Sequence, residues 1–415
     1  MFNALSLAFL GALAIATATR LWLAMRQVRY VRAHRDAVPG TFADAIPLAA
    51  HQKAADYTVE KARTGTIDVL IGAGLLLALT LGGLIDWLHV AWAQVFEAGG
   101  IWHGTAMIGS VAVLVALVDL PLTLYRTFVI EARYGFNRMT LGLFLTDLAK
   151  QALLAAVLGI PLLLLVLWLM QKMGELWWLY VWLAWMAFNL LVLLAFPTFI
   201  APLFNRFSKL EDPGLAGRIE SLLKRCGFRA SGLYVMDGSR RSSHGNAYFT
   251  GFGAAKRIVF FDTLLSRLAP PEVEAVLAHE LGHYRLHHVW KRVALLFAVS
   301  LGFLWVLGQL IDRQWFYEGL GVTHPSTAAA LLLFMLTVPV FTFFLQPVSS
   351  LYSRRHEFEA DRYAAQHADA SDLVRALVKL YQDNAATLTP DPVHSAFYDS
   401  HPPAALRIAR LREAT

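Results

Sequence analysis

Seven stretches of this chain are long and apolar enough to cross a bilayer, and that constrains its folding more than anything else in it. A hydrocarbon core of about 30 Å calls for about 20 apolar residues in a helix. Such stretches fall at roughly 2–25, 67–93, 104–127, 151–171, 175–200, 291–311 and 327–349. The chain is 57% hydrophobic and 16% charged, whereas an ordinary soluble domain carries about 25% charged residues. A polytopic membrane protein with a modest polar part is expected.

Lys and Arg collect on the cytoplasmic side of a membrane. Arg26, Arg29, Arg32, Arg35, Lys53, Lys61 and Arg63 follow the first span, whereas "VAWAQVFEAGGIWHG" after the second has neither residue type. Arg126, Arg133, Arg138 and Lys150 mark the next loop as inside, and Lys172 stands alone in the one after. The alternation puts the N-terminus outside, and residues 201–290 and the C-terminal tail in the cytoplasm. No Lys or Arg precedes the first apolar run, so "ATATR" reads as part of a span and not as a signal-peptidase site. The net charge of +6 sits beside apolar runs, which fits membrane flanks and not a nucleic-acid surface. The one cysteine, Cys226, excludes an intramolecular disulfide and a multi-cysteine zinc site.

The only long polar block lies between the fifth and sixth spans. "RASGLYVMDGS", "NAYFTGFGA" and "KRIVFFDTLL" read as short strands, the last two forming a hairpin. A helix starts at "APPEVEAVLAHELGH", with Pro270 and Pro271 at its head and Glu272 and Glu274 near the positive end of its dipole. It is expected to continue into the sixth span.

That helix carries His279, Glu280 and His283. Histidines four residues apart project from one face, about 6 Å apart along the axis, and can converge on one zinc. Glu280 beside them can take a proton from a water at the metal. With 14 His and 30 acidic residues in 415, such a motif would arise by chance anywhere in the chain with a probability of about 3%. His287 lies about 12 Å along the helix from His279, too far to share the metal, and it and His288 read as solvated residues at the membrane interface. A further ligand is expected from "SRRHEFEADRYAA" (353–365). Glu357 and Asp361 are one turn apart there, so that one can bind zinc while the other orients a ligand histidine. Glu359 lies on the opposite side of that helix as a structural residue.

At these residues the chain resembles the type 1 CAAX prenyl protease family, membrane zinc endopeptidases built from seven helices around a large chamber. The resemblance extends through "FVIEARYGFNRMT" (128–140), "FIAPLFNRFSKL" (199–210), "HGNAYFTG" (244–251), "SRRHEFEAD" (353–361) and "FYDSHPPAALRIARL" (397–411), in family order, and so covers nearly the whole chain. It implies that His279, His283 and Glu357 bind one zinc and that Glu280 is the general base. It further implies that Asn246 hydrogen-bonds the backbone of a substrate added as an extra strand, that His401 stabilises the oxyanion, and that Asp361 and Arg407 support the ligands from behind. Glu131 and Arg138 read as locks between helices.

The expected fold is therefore mainly α, with seven transmembrane helices around a chamber and a small α+β zincin-like cytoplasmic domain. Residues 1–200 would form the N-terminal membrane domain, 201–290 the protease domain, 291–350 two further spans, and 351–415 the segment completing the zinc site. Substrates would be peptides or proteins, prenylated or otherwise tethered to the bilayer. Composition and the lack of an Asn-x-Ser/Thr sequon point to a bacterial inner membrane, with the endoplasmic reticulum the counterpart for a eukaryotic source. Three other readings compete: a quality-control membrane metalloprotease without prenyl dependence, a transporter using Asp86, Asp119 and Asp147, and a metal-dependent scaffold. The transporter lacks paired repeats or matched broken helices, and a scaffold would not need Glu280, Asn246 and His401.

Overall fold

The computed structural model of the chain describes residues 3–250 and 257–413. It is mainly helical, and seven helices are long and apolar enough to cross a membrane. The first is α1 (Ala4–Ala33), opened by Asn3, whose side-chain oxygen accepts the N–H groups of Leu5 and Ser6 while Ser6 Oγ accepts that of Asn3. This reciprocal cap satisfies donors that a helix start leaves open. The second, α2 (Leu48–Leu79), begins well before the apolar stretch at 67, and its polar first half buries His51, Ala54, Ala55 and Tyr57. Gly83, at φ +76°, then turns the chain into a separate short helix, α3 (Leu84–Trp92), so the expected single span at 67–93 is corrected. A side chain would strain that left-handed turn.

Next come α4 (Ile101–Tyr125), lengthened by a π-helical turn at Arg126–Glu131, and α5 (Leu141–Lys172), capped by Thr140. α6 (Trp177–Ala195) passes through another π turn into α7 (Ala201–Phe204). The polar block follows as β1 (Phe207–Lys209), α8 (Pro213–Arg225), β2 (Gly232–Met236), β3 (Ala247–Thr250), β4 (Arg257–Phe261), α9 (Asp262–Leu265) and α10 (Pro270–Arg285). Then come α11 (His288–Leu310), α12 (Gln314–Gly319), α13 (Thr327–Thr342), α14 (Gln346–His367), α15 (Ala370–Asp383), α16 (Pro392–Tyr398) and α17 (Ala404–Glu413).

The strands form one sheet in the order β1-β2-β4-β3, with β2 parallel to β4 and the other pairs antiparallel. The hairpin of β3 with β4 is as expected; residues 251–254 of its anticipated first strand lie outside the described residues. β1 has three residues, too few to show a pattern. Among the described residues β4 flanks β3 on one side only, which makes β3 an edge strand. Helices α8 and α10 cover the sheet, placing Leu215, Ile219 and Leu222 with Ile258, Phe260, Val273 and Leu281 in one core.

Around the membrane part each spanning helix touches the next in the cycle α1, α2, α4, α5, α6, α11, α13 and back to α1. In the first six spans only 6% to 22% of the most apolar window is buried, against 50% in the seventh. Such helices are staves of a chamber and not rods of a filled bundle, because a close-packed helix would bury its inward face. One end of the ring is closed by an apolar plug in which Phe9, Met107, Leu167, Leu307, Tyr317 and Leu333 meet. The polar block lies at the other end, where α10 and α14 join the spans.

Candidate metal centre

Helix α10 starts on Pro270, and the Glu272 carboxylate accepts the N–H of Ala269 at 2.7 Å. It ends at Arg285, and His287 at φ +57° turns the chain before α11 begins at His288. The expected continuous helix into the sixth span is thus corrected to two helices. On the buried face of α10, His279 and His283 bring their Nε2 atoms 3.2 Å apart. Helix α14 continues the seventh span through a short 3-10 turn at Phe343–Leu345 and faces them with Glu357. Its carboxylate oxygens lie 3.5 Å from His279 Nε2 and 3.3 Å from His283 Nε2.

These separations fit a metal. Ligand atoms about 2.0–2.1 Å from a tetrahedral zinc stand about 3.3 Å from one another. Glu357 is 3% exposed, and its Oε2 is buried with no hydrogen bond, a cost that a cation between the three groups would remove. Behind His279, Nδ1 meets Asp361 Oδ1 at 2.9 Å. Arg407 from α17 donates to both oxygens of Asp361, Nε reaching Oδ2 at 2.8 Å, and its Nη2 lies 3.4 Å from His279 Nδ1. Burial disfavours a charged His279, but the Asp361 and Glu357 carboxylates outweigh it and push its pKa up to about 9. The surroundings favour positive charge at this point.

Of the residues singled out from the sequence, His279, His283, Glu357, Asp361 and Arg407 come together in this buried cluster. His401, just before α17, places Nε2 3.5 Å from Glu357 Oε1 at the rim, with its side chain 63% exposed. Glu280 is half-buried beside His279 and makes no hydrogen bond or ion pair among the described residues. Asn246 is exposed at the head of β3, where its Oδ1 accepts the N–H of Ala247; no hydrogen bond ties it to the cluster among the described residues. Glu131 accepts from Tyr57 Oη and lies 3.5 Å from His244 Nε2, joining α2 to the loop ahead of β3. Among the described residues, Arg138 bonds only through its backbone N–H, to the Arg241 carbonyl.

His287 is exposed, but His288 is not the solvated residue expected. It is 1% exposed, with Nδ1 3.0 Å from His283 Nδ1 and Nε2 3.0 Å from Glu359 Oε2. The left-handed residue at 287 redirects His288 towards His283, whereas in an unbroken helix position 288 would point well away from 283. His356 stacks on His288 with ring centroids 4.0 Å apart. The doubled histidine was visible in the sequence, but nothing local marked the turn.

Residues 27–206 match the CAAX prenyl protease N-terminal family, five membrane helices, and residues 209–415 match peptidase family M48. A CAAX prenyl protease 1 homolog of Arabidopsis thaliana is 33% identical over 383 residues, covering 90% of each chain. The probable CAAX prenyl protease 1 of Schizosaccharomyces pombe is 32% identical over 395 residues, 92% of this chain and 83% of that protein. The crystal structure of S. mikatae Ste24p is similar at a TM-score of 0.90, with 30% identity and 99% of both chains covered.

Proposed function

The chain belongs to the CAAX prenyl protease 1 family of M48 metallopeptidases, and we propose that the metal of this multi-pass membrane protease is zinc, one per chain, held by His279, His283 and Glu357. The single observation that carries the assignment is the set of three side chains whose candidate ligand atoms lie 3.2–3.5 Å apart, with a buried carboxylate oxygen among them that makes no hydrogen bond among the described residues. Zinc bound there supplies a polarised carbonyl and an acidified water.

The remaining steps fall to the chain itself. Glu280 accepts the proton of the attacking water and passes it to the departing amine. His401 at the rim donates a hydrogen bond to the carbonyl oxygen as it becomes anionic. Asn246 and the free edge of β3 hold the substrate backbone as an added strand. Asp361 and Arg407 orient His279.

Residues 1–200 and 291–350 are the membrane part, and 201–290 with 351–415 the protease part, facing the cytoplasm of a bacterial inner membrane with the N-terminus outside. The substrate class is peptides tethered to the bilayer, including prenylated ones. Two features support it: the names of the relatives, and ligands carried on helices adjoining the sixth and seventh spans.

The test is the purified protein with Glu280→Gln. It should retain one zinc and lose cleavage of a peptide panel by about 10²- to 10⁴-fold. Undiminished cleavage, or well under one zinc in the wild type, overturns the reading. Comparing a farnesylated peptide with its unmodified version decides the tether.

A further inference from the structure

We propose that His288 and Glu359 are positioning residues for the metal centre, forming a hydrogen-bonded relay from His283 to the protein surface; this rests on the reading of His283 as a ligand.

The direction of each hydrogen bond sets the relay. His283 turns Nε2 towards His279 and Glu357, so the lone pair used for a metal is on Nε2 and the proton of the neutral ring is on Nδ1. That proton points at His288 Nδ1, 3.0 Å away. His288 must accept it there, which leaves its own proton on Nε2, facing Glu359 Oε2 at 3.0 Å. Arg355 Nε donates to the other oxygen of Glu359 at 2.9 Å. Each link fixes the tautomer of the next. His279 has the Asp361 carboxylate directly behind it, and His283 reaches its carboxylate through one intervening imidazole. Both ligand rings are thereby held in plane and made better electron donors.

His288, His356 and Glu359 also place potential ligand atoms within 4.8 Å of one another, but they do not form a second metal site. A metal–nitrogen bond lies in the plane of its imidazole. The His288 and His356 rings are stacked 4.0 Å apart and only 9° from parallel, so no point lies in both planes about 2 Å from a nitrogen of each. His356 instead clamps the face of His288, which is 1% exposed.

The test titrates the full-length protein with Zn²⁺ and with Co²⁺ against a chelator and records the visible spectrum of the cobalt form. Wild type should bind one metal per chain. His288→Leu should weaken binding about 10- to 100-fold and shift the cobalt bands. In His288→Asn the amide oxygen can stand where Nδ1 accepts, so affinity and spectrum should stay near wild type. His288→Gln places its amide near Nε2 instead and should resemble Leu. Glu359→Leu leaves the buried histidines in place and should give a smaller loss, absent when added to His288→Leu. Equal behaviour of Asn and Gln, wild-type affinity in His288→Leu, or two metals per chain overturns the relay while leaving the three-ligand centre intact. A wild type that binds no metal overturns both.

Discussion

Gly282 brings α10 against α14 at Ala360: a Cβ at position 282 would lie 3.0 Å from Ala360 Cα and 3.1 Å from Tyr363 Cβ. His279 and His283 flank Gly282 on one helix, and Glu357 sits one turn from Ala360 on the other. The 3.2–3.5 Å ligand separations therefore depend on this backbone approach. Gly282→Ala should cost about 1–3 kcal/mol by overpacking and weaken metal binding, with Gly282→Val worse. Thermal unfolding and chelator competition check this; an alanine variant matching wild type in both would show that the helices have room to spare.

Arg407 and Asp361 form the other support. Both side chains are under a tenth exposed, so Arg407→Leu strands a carboxylate and should cost about 3–5 kcal/mol. Arg407→Lys should rescue little, because one ammonium cannot reproduce the two-pronged contact. Adding Asp361→Asn to Arg407→Leu removes the stranded charge and should recover part of the loss. Denaturant unfolding of the three variants decides it: a double variant no more stable than Arg407→Leu alone would place the cost in lost packing.

The acids that could have suggested transport have structural partners. Asp86 accepts the backbone N–H groups of Thr323 and His324, and Asp119 accepts from Thr123. Asp147 on α5 receives Arg241 at 2.7 and 2.9 Å, and Arg241 also reaches Asn205. This tie joins a membrane helix to the loop leading to Asn246. Asp147→Leu should cost about 1–3 kcal/mol, leave zinc content unchanged and lower peptide cleavage by loosening the loop. Zinc loss in that variant would instead mean that the tie supports the ligand helices themselves.

Hydropathy found the seven apolar stretches because the bilayer sets their length, but not every helix bound: at 67–93 it missed the polar first half of α2 and ran past Gly83 into the separate α3. The polar half of α2 stays helical because its buried side, with Tyr57 and Ala54, packs on protein. The pair His279 and His283 was legible from helical spacing alone. Glu357 and Asp361 were equivalent on that criterion, since one turn separates them; only the approach of α14 puts one carboxylate at the Nε2 atoms and the other at Nδ1. Arg407 needed α17 folded back over α14. His288 departs from expectation because its neighbour His287 takes φ of +57°, uncommon for any residue but glycine, where an unbroken helix was the natural expectation.

The proposed substrate edge turns on Asn246. That residue stands at the head of β3, which among the described residues pairs with β4 alone and so offers a row of backbone groups on its other side. A peptide laid along that row would repeat the ladder of the sheet, and an amide at its head would set the register. Its loss should remove one or two hydrogen bonds to bound substrate, worth about 1–3 kcal/mol, so Asn246→Ala should lower kcat/KM by about 5- to 150-fold with zinc content unchanged. N-methylating alternate backbone nitrogens of the peptide should weaken cleavage by the wild type only at positions paired with β3. If the variant cleaves at the wild-type rate and N-methylation has no positional effect, substrate does not bind at this edge, and the free row of β3 serves only the protein's own fold.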